Sequence, residues 1–118
     1  ARTSRQDAAR RLQHKGSQNE AFRRQVGLKM LDHKLIIERN EKKGNPETAV
    51  MKKLQASYQR ATGMAAKYSG EMQNEFAPED KRQSARANFN FYMKKAAALD
   101  MQLDEMGGDV LQEEPVEE

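Results

Sequence analysis

Apolar positions recur along this chain at helical spacing, and no stretch alternates as a strand would. In the segment after Pro46, Met51, Tyr58 and Ala65 interleave with Leu54, Ala61 and Tyr68 at steps of three and four, a coiled-coil-like heptad seam. The same rhythm returns in Ala85, Phe89, Tyr92, Ala96, Leu99, Leu103 and Met106. Two such seams, joined by a linker long enough to reverse direction, are expected to face each other. An earlier segment carries a broader stripe, in which Phe22, Val26 and Met30 recur every four residues, flanked by Leu28, Leu31, Leu35, Ile36 and Ile37. One seam cannot cover so wide a face. The segment either packs across both other helices or meets a helix of its own chain on one side and another protein on the other.

Local signals set the expected boundaries. Ser4 with Asp7 and Ser17 with Glu20 fit the pattern in which a serine caps a helix and an acid three residues later reaches back. With Gly16 just before the second pair, residues 1–17 read as a short N-terminal helical arm. The second helix is expected over about residues 18–43, stopped by Gly44. Asn45 then caps the third, with Pro46 at its first position, over about 46–69 and before Gly70. Glu71 to Ala77 reads as a linker because Ala77 precedes proline. The last helix is expected over about 78–106, stopped by Gly107 and Gly108. The fold class is therefore all-α, either an antiparallel helical hairpin or a three-helix bundle, with an arm in front and an acidic tail over 107–118 that its composition would leave disordered in water.

Composition makes the core thin. The 118 residues suit a single domain, yet only 36% are hydrophobic and 33% are charged, and the mean hydropathy is −1.04. Part of the apolar share is alanine, which buries little area, so the interior must be a narrow seam that a partner could complete. There is no cysteine, which removes disulfides and thiolate ligands from consideration. No apolar run approaches the roughly 20 residues that span a bilayer, and the first residues lack the apolar stretch of a secretory signal. A soluble chain, inside a cell or a particle, is the expectation. Residues 1–17, rich in Arg and Ser with only Asp7 as an acid, match a transit segment as well as a capped helix.

Charge is strongly polarised. Residues 1–44 hold twelve Lys or Arg against five acids, residues 45–106 nine against eight, and residues 107–118 five acids and no base. Arg2, Arg5, Arg10, Arg11, Lys15, Arg23 and Arg24 are candidate contacts to a polyanion, through phosphates rather than bases, since Phe22 is the one aromatic among them. The plain alternative is a solvated helix face. Ile36, Ile37, Phe91, Met93 and Met101, apolar positions beside or off the main seams, are candidates for contact with another protein. Met64, Met72, Met93 and Met101 could form an adaptable recognition surface, whereas Met30, Met51 and Met106 belong to the stripes.

Catalytic signals are missing from the sequence. It has no nucleophile elbow, no phosphate-cradling loop and no dinucleotide fingerprint. His14 and His33 fall on different expected helices and outside metal-ligand spacings, and His33, between Asp32 and Lys34, reads as a solvated residue. No catalytic, cofactor or metal residue and no small-molecule substrate is assigned. The expectation is a non-enzymatic structural or assembly subunit of a larger particle, such as a virion or organellar complex, with other protein subunits, the same or different, as partners. A sequence-nonspecific nucleic-acid-binding protein using residues 1–44, and a secretion or assembly chaperone, are the alternatives; the comparison is one of architecture only.

Overall fold

A computed structural model describes the backbone of residues 2–108 and the side chains of residues 20–108. Within these bounds the chain forms three helices, α1 (Arg2–Lys42), α2 (Thr48–Met72) and α3 (Glu79–Gly107), and no strand. The expected acidic tail beyond Gly108 lies outside the described residues, as do the side chains of the expected arm.

α1 corrects the arm. The helix runs through Gly16 and Ser17 without a break, so the described part of the expected arm and the expected second helix belong to one helix of 41 residues, Arg2–Lys42, and neither Ser4 nor Ser17 begins a new one. An interior glycine costs a helix about 1 kcal/mol. A break would strand the amides of one new end and the carbonyls of the other. At about 1.5 Å per residue such a helix is roughly 60 Å long, in keeping with the 63 Å longest dimension of the molecule.

The turn after α1 uses the residues the sequence marks, in a different way. Gly44 takes φ 73°, the left-handed conformation that lets the chain leave the helix. Asn45 does not cap α2 directly. Its Oδ1 accepts the Glu47 N–H at 3.0 Å, two residues on, and its carbonyl accepts the Thr48 hydroxyl at 2.6 Å, so the turn holds Pro46 and Glu47 outside a helix that starts at Thr48. α2 passes Gly70 and ends at Met72. Asn74 then repeats the device, its Oδ1 accepting the Phe76 N–H at 3.0 Å. Pro78, with ψ 149°, sends the chain into α3, where Glu79 and Asp80 in the first turn suit the positive end of the helix dipole.

α2 and α3 form the closest pair, an antiparallel hairpin, and α1 lies more lightly along both. The residues that seal the hairpin are those of the two stripes: Met51, Tyr58, Ala61, Ala65, Ala85, Ala96 and Leu103 are buried, and Leu54, Tyr68, Phe89, Tyr92, Leu99 and Met106 are half-buried. Tyr68 stacks on Tyr92 with ring centres 5.9 Å apart. Two clusters attach α1. Near the α1–α2 turn, Ile36 and Ile37 pack with Met51 and Leu103. Further along, Val26 and Met30 pack onto Tyr58, Ala61 and Ala96.

Candidate protein-docking surface

α1 runs parallel to α3 in a constant register. Phe22 meets Phe89, His33 meets Asp100 and Asn40 meets Gly107, each pair 67 positions apart. Polar side chains pin this register at two of the three points. His33 is 1% exposed, and its Nε2 donates to Asp100 Oδ1 at 2.6 Å, while its ring meets Tyr58 of α2 edge-on with centres 4.8 Å apart. Asp100 Oδ2 also takes Lys29 Nζ at 3.1 Å. Burial pushes the Asp100 carboxyl up, but the hydrogen bonds from His33 and Lys29 and their charges outweigh it and hold its pKa below the usual carboxylate value. The same hydrogen bond raises the Lys29 ammonium, and burial raises the Tyr58 phenol.

His33 is thus no solvated residue. Its angular position on α1 coincides with that of Val26, Met30 and Ile37, and a half-buried carboxylate waits opposite. Asn40, 2% exposed, makes the second pin. Its Nδ2 donates to the Ile36 carbonyl at 2.7 Å and to the Gly107 carbonyl at 3.1 Å, and its Oδ1 accepts from Asn45 Nδ2 at 2.8 Å. Gly107 is what lets α3 come this near: a Cβ there would stand 2.7 Å from Asn40 Nδ2 and 2.8 Å from Ile36 Cγ2. Both clusters face inward and bind helix to helix; their chemistry is that of a clamp. Among the described residues no three His, Asp or Glu side chains converge as a metal-ligating group.

The opposite face of α1 is a different surface. Leu28, Leu31 and Leu35 are 59%, 63% and 39% exposed, large values for leucine at steps of three and four. At 100° per residue they cluster on the side of the helix away from Val26, Met30, His33 and Ile37. Arg24 and Glu38, both exposed, continue the same line by about one turn at either end. What reads as one broad stripe in the sequence is therefore two, one spent on the core and one turned outward.

The interface positions expected from the sequence divide accordingly. Ile36 and Ile37 are 2% and 4% exposed and lie in the core, where they face Met51 and Leu103 and are closed to any partner. Met93 is half-buried, on a groove of about 440 Å³ between α1 and α3 that Phe22, Val26 and Ala97 also line. Phe91 and Met101 are exposed on α3, Phe91 with its ring edge-to-face with Tyr92. The leucines replace the isoleucines as the outward apolar group of α1; the signal for them is their own three-four spacing between two opposite charges. Of the candidate polyanion contacts, Arg23 and Arg24 are exposed, whereas the side chains of Arg2, Arg5, Arg10, Arg11 and Lys15 lie outside the described residues.

No helix among the described residues is long and apolar enough to cross a membrane. No family model, curated protein or solved structure matches the chain.

Proposed function

We propose that the protein is a non-enzymatic assembly subunit that docks through the outer face of α1. The observation that carries this reading is the line of Leu28, Leu31 and Leu35 on the side of α1 opposite its core. Three consecutive exposed leucines on a chain with so little apolar material serve no interior, and a continuous apolar patch on a helix is a surface for another helix or groove. The inward clamp of His33, Asp100 and Asn40 supports the same reading, since it fixes how α1 rotates and so which residues it offers outward. The polarised charge of the sequence would add orientation to that docking.

The test compares the full chain with a Leu28→Gln, Leu31→Gln, Leu35→Gln variant, both expressed in the source cells and followed by size fractionation of a gentle lysate. Wild type is expected in a species well above the 13.5 kDa chain. The variant should fall out of it while its purified form keeps its helicity and melts within about 1 kcal/mol of wild type, as exposed substitutions by a good helix former do. Wild type migrating as a free chain overturns the reading.

A further inference from the structure

We infer that the partner of this face is a second copy of the same chain, paired antiparallel about a two-fold axis at Leu31. The inference rests on the docking reading and names its occupant. Its basis is a symmetry in the residues of the line itself. Arg24 stands seven residues before Leu31 and Glu38 seven after it, and Leu28 and Leu35 lie between them on either side. All five are exposed on one face. Turning a second α1 end for end about Leu31 sets Leu31 against Leu31 and each Arg24 against the other copy's Glu38, roughly 10 Å along the axis from the centre, with Leu28 beside the other copy's Leu35, one residue out of register.

The charges choose this arrangement over its rivals. A parallel pair would set Arg24 on Arg24 and Glu38 on Glu38, two repulsions in place of two attractions. An isologous pair needs a patch that is complementary to itself, and a line with a base at one end, an acid at the other and leucines between meets that condition. A stable pair buries at least about 1,200 Å². Six partly exposed leucines supply on the order of 500 Å² of that, with the stems of Arg24 and Glu38 beside them, which sets the expected affinity at the weak, roughly micromolar end.

Sedimentation velocity of the purified full chain, from about 1 to 100 µM, reads the outcome. Wild type is expected to pass from monomer to dimer across that range. Arg24→Glu and Glu38→Arg each turn two attractions into two repulsions and should weaken the dimer roughly tenfold or more. The double variant Arg24→Glu, Glu38→Arg restores both pairs and should return to wild-type affinity. Circular dichroism of each variant checks that the helices persist, and because both positions lie on the exposed face, loss of fold is not the expected cause of any change. Wild type that stays monomeric at 100 µM overturns the pairing. So do single variants that dimerise like wild type, as a parallel pair would, or a double variant that fails to recover. A monomer in this assay, together with a large leucine-dependent species in the cell lysate, removes the second copy as partner and leaves the docking reading standing.

Discussion

Met51→Ala is expected to cost the fold about 2–5 kcal/mol, the range for emptying a fully buried methionine or leucine site. Met51 is 0% exposed and lies where all three helices meet, packed with Ile36 and Ile37 of α1 and Leu103 of α3, with its Cε close beneath Gly107. Truncation leaves a cavity whose walls belong to three elements, so no single helix can move to close it. With so few large side chains inside, the loss should be felt by the whole molecule: the urea midpoint falls while the slope of the transition stays unchanged. Met101→Ala is the matched control. Met101 is 61% exposed on α3, and its truncation should change stability by less than about 0.5 kcal/mol. Equal effects from the two methionines would contradict the core described for this chain.

The difference between those methionines was visible in the sequence, because Met51 falls in a three-four rhythm and Met101 does not. That rhythm reports which side of a helix is apolar, and for α2 and α3, each with one apolar side, it suffices to name the buried residues. α1 has two apolar sides. Counting Leu28, Leu31 and Leu35 together with Val26 and Met30 merges faces that stand half a turn apart, and assigning Ile36 and Ile37 to a partner reverses inside and outside. The polar pins were hidden for another reason. His33 beside Asp32 and Lys34 has the surroundings of a surface residue, and only the arrival of Asp100 from a helix 67 positions away makes its burial tolerable. A long-range pairing of this kind leaves no local trace. The arm over residues 1–17 failed at the opposite scale: a glycine and a serine are enough to suggest a boundary, but the intrahelical hydrogen bonds on both sides outweigh so weak a signal.

Asp100→Ala is expected to loosen α1 from the hairpin more than it damages the hairpin itself. Both partners of Asp100, His33 and Lys29, are on α1, and removing the carboxylate leaves the His33 Nε2 donor buried without its acceptor, at a cost of about 1–3 kcal/mol. Amide hydrogen exchange should therefore quicken first in α1 between Val26 and Asn40, ahead of α2 and α3, since partial opening follows the weakest attachment. The same contact predicts an acid response. The Asp100 pKa is lower in the folded chain than the value of about 3.9 typical of an unfolded one, so between the two values the unfolded state binds the extra proton. The stabilisation is complete above about pH 5 and is lost as pH falls through the folded pKa. Wild type should lose stability along that acid limb, and Asp100→Ala, with nothing left to protonate at this site, should lose less over the same interval. Parallel acid limbs for the two proteins, or exchange that quickens first in α2 and α3, would mean that Asp100 does not hold α1 in place. The rotation of α1 and the outward line of Leu28, Leu31 and Leu35 would then need a different support.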